Sequence, residues 1–153
     1  VEEAVDLQAQ VNANALQIHE TLSPQQLNTL SERIDAQVIA VVDVAEPEIP
    51  AYADVTDVLL VDSTREDGGG GTGETHDWER TRDIAAKIDV PLVLAGGLHP
   101  NNVRSAIETV NPFGVDTASG VERVEGQKDH SAVELFVNTI RQTETTNPPG
   151  RTA

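Results

Sequence analysis

Two apolar runs dominate the hydrophobic pattern of the chain: Val38 to Val44 is almost unbroken in β-branched and small residues, and Val58 to Val61 runs straight into Asp62. Continuous runs of this kind, without polar alternation, mark strands buried on both faces, as in parallel sheets. Between and around them the apolar residues recur at helical spacing. The pattern predicts a helix over Val1–Ala13 through Val5, Leu7 and Val11, then a strand over Ala15–His19. Ser23, Pro24 and Gln26 supply a cap, a proline at the first helical position and a reciprocal glutamine for a helix reaching about Ile34. After the strand at Val38–Val44 come a polar connection, Ala45–Pro50, a short segment at Ala51–Asp54 and the strand Asp57–Asp62. A helix over Asp77–Ile88, a strand over Pro91–Ala95 and a helix capped by His99-Pro100-Asn101-Asn102 and running through Ile107 and Val110 follow. The last strand is expected at Gly114–Thr117 and the last helix at Ser131–Gln142. Residues 1–142 are thus read as part of one domain, and 143–153, with prolines and a glycine, as a flexible tail.

Strand and helix alternate throughout, and the strand-to-helix loops carry the glycine and polar residues. That asymmetry places the chemistry on one face of a parallel sheet. Two α/β architectures satisfy it: a doubly wound sheet, or an arc of an eight-stranded (β/α)8 barrel. No dinucleotide fingerprint follows the first strand, and Gly96-Gly97 and Ser119-Gly120 in the last two loops suit a barrel's phosphate site, so the barrel is favoured. Asp62 ends its strand before a loop containing Gly68 to Gly71 and Gly73. From position alone this carboxyl is equally a catalytic acid or a solvated, helix-capping group. Gly96, Gly97, Ser119 and Gly120 could cradle a phosphate through backbone N–H groups, or simply form tight turns.

Composition narrows the partners. The 153 residues fit one domain; aromatics are only 3%, so the core is built from Val, Ile, Leu and Ala. A formal charge of −16, from 26 acidic against 10 basic residues, repels nucleic acid and anionic membranes, and fits a solvated acidic shell in a salt-rich cytoplasm. With no cysteine there is no disulfide or thiolate chemistry. His19, His76, His99 and His130 are scattered without ligand spacing, so no metal is expected. No apolar run is long enough to span a bilayer and no leader opens the chain, which predicts a soluble, cytoplasmic protein. Since the chain also lacks methionine, Val1 is read as lying inside a longer protein.

Leu60-Val61-Asp62-Ser63, Gly71-Thr72-Gly73-Glu74-Thr75-His76-Asp77-Trp78, Leu94-Ala95-Gly96-Gly97-Leu98 and Gly114 to Glu122, with Lys128-Asp129 and Leu16-Gln17-Ile18-His19, resemble phosphoribosylanthranilate isomerase. The resemblance covers nearly the whole chain except the tail. It implies strands four to eight of a partial (β/α)8 TIM barrel, and an Amadori rearrangement of phosphoribosylated anthranilate in tryptophan synthesis without a cofactor. It assigns the general acid to Asp62, substrate contacts to Asp116, His19, Gly71 and Gly73, and phosphate binding to Gly96, Gly97, Ser119 and Gly120. The family's general base, a cysteine on its first strand, and the arginine after its second have no counterpart here, and Ala40 stands where a lysine is usual. The chain is therefore expected to begin in the barrel's third helix and to be inactive without the missing units. Alternatives are a non-catalytic phosphate-binding half-barrel and another phosphosugar isomerase barrel. Open sheet edges imply self-association or pairing with the missing N-terminal segment.

Overall fold

The computed structural model describes residues 1–19, 22–62 and 77–146. Five parallel strands, β1 (Ala15–His19), β2 (Gln37–Asp43), β3 (Val58–Asp62), β4 (Leu92–Leu94) and β5 (Gly114–Val115), stand side by side in sequence order. Each successive strand pairs in parallel with the one before it. Helices α1 (Glu2–Val11), α2 (Pro24–Ser31), α3 (Ile49–Ala53), α4 (Trp78–Ala85), α5 (Val103–Val110) and α6 (His130–Thr146) alternate with them. A 3-10 turn at Ser119–Val121 leads into a small antiparallel hairpin, β6 (Glu122–Val124) and β7 (Gln127–Lys128).

Alternation along the strands sorts the side chains onto two faces. Val38, Ala40 and Val42 of β2, Leu59 and Val61 of β3, and Leu92 and Leu94 of β4 pack with Leu27, Val103, Ala106, Val110 and Phe136 from the helices. Val41, Leu60 and Ala95, flanked by Ile39 and Val93, form a second, smaller cluster on the other face. Their burial explains why β2 and β3 read as unbroken apolar runs: both faces of these strands are covered. The strands of the sheet's two edges are less protected. Every residue of β1 is exposed or half-buried, and α1 buries none of its side chains.

Helix starts follow their caps. Ser23 and Gln26 exchange the two hydrogen bonds of a capping box ahead of α2, and the Asp77 carboxylate accepts from the Arg80 N–H to open α4. Differences from the sequence expectation lie where periodicity has little to act on. The helix α3 occupies what reads as a polar connection and a short segment; five residues, with Pro50 in the first turn, are too few to show a helical period. The β6–β7 hairpin has mostly exposed polar residues and no alternation to reveal it. The last helix runs past its expected end at Gln142: α6 continues through Thr146, and Thr143 is buried, its hydroxyl donating to the Thr139 carbonyl. Among the described residues no helix is long and apolar enough to cross a membrane.

Candidate active site

The carboxyl ends of the strands share one rim because parallel pairing keeps them in register. Asp43 at the end of β2 is paired with Asp62 at the end of β3. Val61 pairs with Leu94 and Leu94 with Val115, so the same row continues through Ala95 to Asp116. The Ala95 and Asp116 N–H groups extend the ladder, donating to Val61 and Leu94 at 2.9 Å each. By strand alternation Asp43, Asp62 and Ala95 share the face of the small Val41–Leu60 cluster, opposite the helices. Asp62 is half-buried there, whereas Asp116 is exposed. Neighbouring strands are about 4.8 Å apart, so Asp43 and Asp62 stand side by side on this face. Asp43 is turned toward its own backbone, accepting the Ala45 N–H at 2.6 Å.

His19 ends β1, level with Val41 rather than with the aspartate row, and lies two strands from Asp62. It is exposed, with its Nε2 3.1 Å from the Gln17 side-chain nitrogen. Gly71 and Gly73, expected to contact substrate, lie outside the described residues.

The four residues expected to hold phosphate sit in two loops that the structure brings together. Gly96 and Gly97, after β4, have φ of 86° and 63°, which a side chain disfavours. Asn102 braces this turn: its Oδ1 accepts the His99 N–H at 2.8 Å and its Nδ2 donates to the Gly97 carbonyl at 3.0 Å. Asn102 thus turns back onto the loop instead of capping α5 with its side chain. Ser119 and Gly120 begin the 3-10 turn after β5, and Thr117 ties that loop to the first by donating to the Leu98 carbonyl at 2.6 Å. Gly120 is required by contact: a Cβ there would overlap the Leu98 carbonyl oxygen. Gly97 is required by its backbone angle alone, since a Cβ would meet nothing within 4 Å.

The pair Lys128-Asp129 divides its work between two elements. Lys128 Nζ donates to the Ala118 carbonyl and to Glu122 Oε1, each at 2.8 Å. Asp129 Oδ1 accepts the Ser131 and Ala132 N–H groups at the start of α6. Hydrogen bonding from the Lys128 ammonium, followed by that from the Gly126 N–H, holds the Glu122 carboxyl below the ordinary carboxylate range. Pattern reasoning passed over Asp43, Asn102 as a loop brace, and Thr117. Nothing in one sequence separates these from ordinary strand-end and capping residues. Among the described residues no group of three or more His, Cys, Asp or Glu side chains could hold a metal ion.

A family model for N-(5'-phosphoribosyl)anthranilate (PRA) isomerase matches residues 1–139. The chain is 55% identical over 142 residues to the N-(5'-phosphoribosyl)anthranilate isomerase of the halophile Haloarcula marismortui, covering 93% of this chain and 66% of the relative. It superposes with a TM-score of 0.79 and 34% identity on phosphoribosyl anthranilate isomerase from Thermotoga maritima, covering 92% of this chain and 68% of that one. A phosphoribosyl anthranilate isomerase solved in complex with reduced 1-(o-carboxyphenylamino)-1-deoxyribulose 5-phosphate matches with a TM-score of 0.74 at 32% identity, over 92% of this chain and 66% of that one. The chain thus spans about two thirds of the length of the proteins it matches.

Two glycines make contrasting predictions. Gly120→Ala forces the two loops apart and is expected to cost about 3 kcal/mol by overpacking. Gly126→Ala, at φ 75° in open space, should cost only about 1 kcal/mol, from backbone strain. Denaturant melts of the two variants check this; equal losses would mean that the Leu98–Gly120 contact does not hold the loops.

Proposed function

Because this chain belongs to the N-(5'-phosphoribosyl)anthranilate (PRA) isomerase family, we propose that it supplies the acid and phosphate-binding part of that isomerase and acts on phosphoribosylated anthranilate in tryptophan synthesis. The observation that carries the reading is the position of Asp62: at the carboxyl rim of β3, in one row with Ala95, from which the glycine turn departs. β1 to β5 are then strands four to eight of a (β/α)8 barrel. Sequential strand order with right-handed crossovers puts all helices on one face of a sheet, as an arc of a barrel requires. The second apolar cluster, Val41, Leu60 and Ala95, is the floor of the barrel interior.

In this reading Gly96, Gly97, Ser119 and Gly120 hold the substrate phosphate by backbone N–H groups, which leaves the ribose over the row of strand ends. Asp62 delivers a proton to the furanose ring oxygen as the bond from C1 to that oxygen breaks. The resulting iminium then loses its C2 proton to a base, giving an enolamine that tautomerises to the ketose. The proton gained at oxygen and the proton lost at carbon balance, so the step is an isomerisation. Asp116 at the end of β5 and His19 at the end of β1 flank the substrate from the two edge strands of the arc. The base comes from the remaining third of the family fold, because no cysteine lies in these 153 residues. The same third covers the exposed apolar side chains at both ends of the arc, Leu7 and Val11 on α1, Val133 and Leu135 on α6; without it, a second copy does so.

Supplying that third from the Haloarcula relative should produce isomerase turnover, and Asp62→Asn in the completed barrel should lower kcat by at least about a hundredfold with little change in binding. Near-normal turnover in that variant would remove Asp62 from the chemistry. The isolated chain should also self-associate more strongly as salt rises, because each copy carries −16 and the Debye length shrinks from about 30 Å at 0.01 M to about 3 Å at 1 M. Sedimentation showing a folded monomer at every salt concentration would contradict the open arc.

A further inference from the structure

In a chain this acidic a cation beside an anion site is a notable placement. Lys87 and Lys128 are its only lysines, and Lys128 reaches across from the hairpin to the loop that follows β5. Its ammonium does not act there as a bare charge, because Glu122 accepts from the same nitrogen at 2.8 Å and neutralises it. The second hydrogen bond, to the Ala118 carbonyl at 2.8 Å, is the informative one. In a trans peptide the carbonyl and the following N–H point in opposite directions. Fixing the Ala118 carbonyl on the Lys128 ammonium therefore fixes the Ser119 N–H on the far side of the same peptide plane. Hydrogen bonding at the carbonyl also polarises the peptide and strengthens that N–H as a donor. The other end of the loop is fixed independently, by Thr117 on the Leu98 carbonyl and by the tight Gly120 contact. Asp129 anchors Lys128 in turn: its N–H donates to the Val121 carbonyl at 2.8 Å, and its carboxylate starts α6.

We propose that Lys128 is a positioning residue for phosphate recognition, orienting the Ala118–Ser119 peptide so that the Ser119 N–H is held as a donor to the phosphate. The inference rests on the reading of Ser119 and Gly120 as phosphate-binding residues, and it assigns to the hairpin the task of carrying this brace. The ammonium touches neither substrate nor reacting atoms in this account. Its effect passes through one peptide group, so it should survive conditions that screen charge.

The test is titration of the folded chain with inorganic phosphate, by calorimetry, at 0.1 M and 1 M KCl. Lys128→Met keeps the apolar stem of the half-exposed side chain and removes only the donor. It should weaken phosphate binding about tenfold at both salt concentrations, with Lys128→Arg recovering most of the loss. In the phosphate-free chain the Ser119 amide resonance should move in Lys128→Met and return toward its place in Lys128→Arg. Unchanged affinity in a folded Lys128→Met chain would overturn the proposal, as would a loss that disappears at 1 M KCl, which would make Lys128 a general charge. If Lys128→Met fails to fold, Lys128→Gln, whose shorter donor cannot span to Ala118, is held to the same outcomes. Absence of phosphate binding by the unaltered folded chain would instead remove the phosphate reading of the loops, and the role of Lys128 with it.

Discussion

The register between β2 and β3 is the constraint on which the rest of the structure depends. Pairing Ile39 with Val58 and Asp43 with Asp62 buries Val38, Ala40, Val42, Leu59 and Val61 against the helices while Val41 and Leu60 meet on the other face. A slip of one residue would send each of these sets to the opposite face and would take Asp62 out of line with Asp43. That register brings the strand ends level, and Asp62 reaches the rim beside the loops of β4 and β5 because of it. The position of Asp62 is a by-product of core packing.

Beyond the rim, backbone groups are held by other backbone groups and by short side chains. Leu98 offers one carbonyl to Thr117 and the space beside it to Gly120; Asn102 braces Gly97 from the helix side. A surface of −16 would be a poor host for a phosphate if long-range potential governed binding. In the proposed phosphate site, backbone donors fixed at close range take the place of a basic patch.

Much of this was legible in the sequence. The unbroken runs at 38–44 and 58–62 mark doubly covered strands, the Ser23-Pro24-Gln26 box starts α2 as read, and the glycines at 96 and 97 mark the turn that leaves β4. What escaped has physical reasons. Helix α3 is too short to show a period, and the β6–β7 hairpin is held by Lys128, Glu122 and Gly126 rather than by alternating apolar residues. The final helix outlasts its expected end because Thr143 satisfies its own hydroxyl on Thr139 and can be buried despite being polar. Asp43 reads as the end of a strand; only register shows that it stands beside Asp62. Thr117 and Lys128 act on carbonyls 19 and 10 residues away in the chain, a relation that no local pattern contains.

The central claim is that the loops after β4 and β5 form a phosphate site at the carboxyl rim, next to Asp62. Titration of the folded chain with ribose 5-phosphate, followed through backbone amide resonances, tests it most directly. The account predicts that Gly97, Ser119 and Gly120 shift first and saturate together, while Asn14, Gln37 and Asp57, at the opposite end of the strands, stay in place. Shifts centred on that opposite end, or none at Ser119 and Gly120 on saturation, would contradict it.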